Sequence, residues 1–148
     1  MRGQVYDIDG LSVFAMGGAA SHDREWRTEG ESWWPEELPS DAERAEARSN
    51  LDARGWKVDY VVTHEAPLDL ADDLCWECNR PFDGGDEHQR FLQEVDDRLS
   101  FGTWFFGHYH DDEWRDDRHR LIYRDIVPIE VRRSDETREP IGGDSNDG

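Results

Sequence analysis

Two short apolar runs that each lead directly into histidine constrain this chain most. Val58, Tyr60, Val61 and Val62 end in Thr63-His64-Glu65-Ala66-Pro67, and Thr103-Trp104-Phe105-Phe106 ends in Gly107-His108-Tyr109-His110. Runs of this length, rich in β-branched and aromatic residues, read as buried strands. Between them, Asp86 to Leu99 places Phe91, Leu92, Val95 and Leu99 at helical spacing. An α/β fold with a mixed sheet follows. In such a sheet, side chains at the carboxyl ends of adjacent strands converge on one crevice, where ligands bind.

The remaining elements carry local signals. Val5, Tyr6 and Ile8 lead into Asp9-Gly10 and then Leu11 to Met16, an opening hairpin whose Gly supplies the positive φ of a primed turn. Gly17 to Pro39 has neither helical nor strand periodicity and holds Trp33-Trp34-Pro35. It reads as a long loop weighted with aromatics, of the kind that is often functional. Ser40, with Glu43 three residues on and Gly55 as the stop, marks a first helix by the capping-box rule. The Asp86–Leu99 helix makes two helices in all. Trp114, a turn at Asp116-Asp117, Leu121 to Tyr123 and Ile126 to Val131 are expected to complete the domain as antiparallel strands.

Charge narrows the function. The chain of 148 residues has 36 acidic against 17 basic residues, a net charge of -19, and a single lysine, Lys57. Sequence-independent binding to nucleic acid or to an anionic membrane needs clustered Lys and Arg, so both are excluded. No apolar run approaches the roughly 20 residues of a membrane span, and Met1-Arg2-Gly3 does not open a signal peptide. The expectation is a soluble, cytoplasmic protein. Cys75 and Cys78 are too few and too close for a disulfide framework and read as thiols in a reducing compartment. Residues 134–148 carry five acids against one Arg and are expected to form a disordered acidic tail after a domain spanning 1–133.

His64, His108 and His110 stand at strand ends and are the candidate metal ligands, since imidazole suits divalent transition metals. Asp23, Arg24 and Arg27 lie in the long loop. Arg27 could meet a phosphate bidentately, and Asp23 could accept from a metal-bound His. Trp33 and Trp34 read as packing anchors of that loop.

Together, Val61-Val62-Thr63-His64-Glu65-Ala66-Pro67 and Trp104-Phe105-Phe106-Gly107-His108-Tyr109-His110 resemble the second half of a calcineurin-like metallophosphoesterase. Met16-Gly17-Gly18-Ala19, the Ser21-x-Asp23 loop and Ser32-Trp33-Trp34-Pro35-Glu36 resemble the bacterial branch of that family, and the likeness runs over residues 1 to 131. It implies one half of the four-layer α/β/β/α sandwich. By it, His64 and His108 would bind one metal and His110 the other. Two such ions clamp a phosphoryl group and activate a water. Mn, Fe, Zn or Ni would suit these ligands, and the substrate would be a phosphate-ester small molecule or a phosphoprotein.

The departure from the family pattern matters equally. Its first-half motifs, Asp-x-His, Gly-Asp-x-x-Asp and Gly-Asn-His-Asp/Glu, do not precede Val5. Asp86-Glu87-His88 and Asp117-Arg118-His119 match the letters of the first, but at a helix start and in a hairpin, and in the wrong order. The chain therefore looks like the C-terminal half of an enzyme. Three imidazoles would hold at most one metal, and the expected phosphatase activity of the chain alone is weak or absent. The alternatives are an interaction module that binds a partner or self-associates through apolar surface, and a single-site zinc binder.

Overall fold

A computed structural model describes residues 1–21, 26–77, 82 and 84–129. Strands β1 (Arg2–Ile8), β2 (Leu11–Met16), β3 (Tyr60–Thr63), β4 (Thr103–Phe106), β5 (Glu113–Trp114) and β6 (His119–Leu121) form one sheet in the order β1-β2-β3-β4-β6-β5. The four inner strands β2, β3, β4 and β6 run parallel, while β1 and β5 pair antiparallel at the edges. The α/β class and mixed sheet are as expected from sequence. The β1–β2 turn has Asp9 at φ 50 and Gly10 at φ 85, the two positive φ values of a primed turn.

Among the described residues three helices, where the sequence predicts two, accompany the sheet: α1 (Asp41–Ala53), α2 (Leu68–Glu77) and α3 (Glu87–Arg98). Ser40 caps α1, accepting from the Glu43 amide while the Glu43 carboxylate accepts from the Ser40 amide. Asp86 does the same for α3 with Gln89. The unforeseen α2 follows Pro67 and buries Ala71 and Leu74. Its acidic residues Asp69, Asp72 and Asp73 obscure the apolar spacing. A second correction concerns the last strands. β6 is antiparallel only to β5 and runs parallel to β4, with Trp104 opposite His119, and Ile126 to Ile129 form no strand. The end of that expected strand at Glu130 and Val131 lies outside the described residues, as does the expected tail at 134–148.

The helices share one face of the sheet. Phe14, Met16, Val61, Trp104, Phe106 and Leu121 build a core with Ala47, Leu51, Ala71, Leu74, Phe91, Leu92 and Val95. The register places Ile8, Leu11, Val13, Ala15, Tyr60, Val62 and Phe105 on the opposite face, where Ile8 is 54% and Val62 40% exposed. Among the described residues, no helix is long and apolar enough to cross a membrane.

Candidate functional site

The parallel pairing of β3 with β4 brings two histidines together. Past the strand ends, the Gly107 amide donates to the His64 carbonyl at 3.1 Å, and the Ile122 amide donates to the Phe106 carbonyl at 2.8 Å. The loops after β3, β4 and β6 are thus pinned side by side. His108 Nδ1 lies 3.2 Å from His64 Nε2, with the rings edge to face at a centroid distance of 5.0 Å.

His108 owes its position to a tight turn. The Tyr109 amide donates to the Gly107 carbonyl at 2.9 Å, an i to i+2 bond around His108 at φ 73. This is the rare positive-φ form of γ-turn, a strained conformation for a residue with a Cβ. His110 is also at positive φ, 59. Two such residues in four are the kind of strain that clusters at functional sites.

Beneath the pair lies Glu65, which is 1% exposed. Its Oε1 accepts from the Tyr109 hydroxyl at 2.6 Å and from the Ala66 amide at 2.8 Å. Its Oε2 lies 3.7 Å from His108 Nε2. The turn that buries it is fixed by Thr63, whose hydroxyl donates to the Glu65 carbonyl at 2.6 Å and accepts from Trp104 Nε1 at 2.9 Å. Burial above all, then the charge of Glu65 and its hydrogen bond, push the Tyr109 phenol well above its ordinary value. Tyr109 therefore remains a donor. His88, fully buried in the first turn of α3 and stacked on Phe91, is lowered to about 4, chiefly by desolvation.

His64 and His108, with Ala19, Ala20, Ser21 and Glu37, line an open depression of about 290 Å³. Glu37 is delivered there by the 3-10 turn at Pro35–Glu37. The Ser21 hydroxyl donates to it at 2.6 Å and, as the leading cause, holds its carboxyl below the usual range.

The other residues singled out from sequence are placed differently. His110 is exposed and stacks on Tyr123 at a centroid distance of 4.8 Å. Arg27 Nη1 donates to the Ser32 carbonyl at 3.0 Å, closing its own loop. Asp23 and Cys78 lie outside the described residues. Asp86 serves as a helix cap, and Asp116 binds His119 Nδ1 at 2.7 Å in the β5–β6 turn. Glu65, Tyr109 and Glu37 were not foreseen as site residues. The one available signal was an acid set between Thr63-His64 and Ala66-Pro67.

Two ring nitrogens bound about 2.1 Å from one cation, at about 90–110° to each other, stand about 3.0–3.4 Å apart. The observed 3.2 Å fits that spacing. It is also a hydrogen-bond distance if one ring donates, so the tautomer decides the chemistry. Among the described residues, no group of three or more His, Cys, Asp or Glu side chains is arranged to hold a metal ion. The two rings stand at that spacing, while His110 stacks on Tyr123. No protein-family model matches the chain, and no curated protein or solved structure is significantly similar to it.

Proposed function

We propose that the chain is a metal-dependent phosphoesterase domain in which His64 and His108 hold a divalent cation, Mn, Fe, Zn or Ni, beside the depression lined by Ser21 and Glu37. The carrying observation is the 3.2 Å separation of His108 Nδ1 and His64 Nε2. The order of the strand-end His and the later Gly107-His108-Tyr109-His110, which resembles metallophosphoesterases, supports a phosphate ester as substrate. When bound, such a cation polarises a phosphoryl oxygen and lowers the pKa of a coordinated water. The chain's own part is to pair two imidazoles at the mouth of the depression and to hold Glu37 in place through Ser21. A chain with a net charge of -19 repels phosphate esters, so a local cation is also what would let one approach. With two imidazoles as the assembled ligands, turnover is expected to be slow.

Calorimetric titration with Mn²⁺ and Zn²⁺ tests this, alongside hydrolysis of an aryl phosphate. One cation per chain is expected, lost in His64→Ala and in His108→Ala. A chain that takes up neither ion would overturn the proposal. Fast Mn²⁺-dependent turnover abolished by His108→Ala would instead overturn the expectation of weak activity.

A second reading, self-association, rests on the sheet face turned away from the helices, where Ile8 and Val62 are exposed. Light scattering over a concentration series reads it directly: Val62→Asp should abolish any dimer.

A further inference from the structure

Glu65 is the one buried carboxylate among the described residues. The other described carboxylates all keep some contact with water, and a carboxylate taken out of water is strongly unfavourable unless its oxygens are answered. What answers them is arranged asymmetrically. Oε1 is committed to two donors, the Tyr109 hydroxyl and the Ala66 amide. That leaves Oε2 turned to the Nε2 edge of His108 at 3.7 Å. The opposite edge of the same ring, Nδ1, faces His64.

A neutral imidazole carries its proton on one nitrogen and its lone pair on the other, and the partner at one edge sets which is which. A carboxylate at the Nε2 edge calls for Nε2–H. We infer that Glu65 is the positioning residue of His108: it holds the ring as the Nε2–H tautomer and so presents the Nδ1 lone pair alongside His64 Nε2. This rests on reading the His64–His108 pair as a cation site, where an outer carboxylate orienting a ligand imidazole is a recurrent device. At 3.7 Å the contact is longer than a hydrogen bond and needs about 0.8 Å of closure to reach ordinary length.

Tyr109 ties the arrangement together. Its hydroxyl anchors Glu65 Oε1, and its amide closes the γ-turn that sets His108 at φ 73. One residue thus fixes both the carboxylate and the backbone of the ring that the carboxylate orients. Within the Thr63–Pro67 turn the Glu65 side chain serves only as an acceptor for the Ala66 amide, which a neutral oxygen could also do, so the turn itself does not require the negative charge.

Glu65→Gln tests the inference, because an amide can keep accepting from Tyr109 while its NH₂ faces His108 and demands the reverse tautomer. Nitrogen-15 NMR of the histidine rings in the 148-residue chain should show Nε2–H at His108 in the native protein and Nδ1–H, or a mixture, in Glu65→Gln. Affinity for Zn²⁺ by calorimetry should fall about 10–100-fold in Glu65→Gln and vanish in His64→Ala, with the thermal transition of Glu65→Gln retained. An unchanged His108 tautomer and unchanged Zn²⁺ affinity would overturn the role of Glu65. If the native chain binds no Zn²⁺ but the tautomer still switches, the cation reading fails and the role of Glu65 stands. If Glu65→Gln does not fold, Tyr109→Phe frees Oε1 from one anchor and should give mixed tautomers at His108; a pure Nε2–H ring there would overturn the inference.

Discussion

His64 Nε2 and His108 Nδ1 lie 3.2 Å apart across 44 residues of sequence, because parallel neighbours β3 and β4 end level with each other and each continues into a histidine-bearing loop. The juxtaposition is built by main chain first, through the Gly107 amide on the His64 carbonyl, and by side chains second.

That main chain is strained at His108, and the strain can be separated from the side chain. His108→Gly and His108→Ala both delete the imidazole, yet only glycine accepts φ 73 without penalty. The glycine variant should be more stable than the alanine variant by about 1–2 kcal/mol in urea unfolding, while both lose cation binding. Equal midpoints would show that the γ-turn relaxes freely.

Two other glycines should behave oppositely. Gly3 sits at the β1 bulge with φ 73, and a Cβ there would come 2.7 Å from the Ala47 Cβ of α1. Gly3→Ala should cost at least about 1–2 kcal/mol from the backbone alone, and more as α1 is pushed away. Gly107, inside the histidine motif, looks the more critical from sequence. A Cβ there meets His64 Nδ1 and the Ile122 carbonyl at 3.5 Å, an ordinary contact. Gly107→Ala should therefore stay within about 0.5 kcal/mol of the native chain in the same experiment.

The contrast between those glycines shows where sequence reading runs out. Asp9-Gly10, the Ser40–Glu43 box, the apolar stripe of Asp86–Leu99 and the Thr103–Phe106 run are local signals, and each produced its element. The partner of a three-residue strand such as β6 is decided by packing against Trp104 and Phe106, which no local pattern records. In α2, three aspartates on the outer face outweigh the Ala71 and Leu74 spacing. The convergence of His64 and His108 was legible because strand ends in parallel sheets converge as a rule. The burial of Glu65 was not, because its anchor, Tyr109, lies 44 residues away.

Two further histidines give the fold opposing responses to pH. His88 has a folded pKa of about 4 against an ordinary 6.5, with burial as the chief cause, Arg44 adding to it, and Asp86 and Glu65 opposing. A folded value below the unfolded one means stability is complete above about pH 6.5 and is lost as pH falls towards 4. The loss amounts to about 1.4 kcal/mol per pH unit within that window, or about 3 kcal/mol in all. Urea unfolding at pH 7 and pH 5 should show the native chain losing about 2 kcal/mol more than His88→Met. An equal loss in both would place the acid sensitivity elsewhere.

His119 responds in the other direction. Burial works to lower its pKa, but Asp96 at 3.2 Å from Nε2 and Asp116 at 2.7 Å from Nδ1 outweigh it and raise the value above 6.5. The Arg118 guanidinium, 4.0 Å from Asp96, and the rings of Phe101 and Trp104 complete its surroundings. A raised folded pKa means this clamp between α3 and β6 contributes fully below about pH 6.5 and fades as pH rises through the folded value. Asp96→Asn removes one of the two anions, so its deficit relative to the native chain should be largest at pH 6 and shrink by pH 9. A deficit that stays constant across that range would mean that Asp96 acts on packing and leaves the charge of His119 alone.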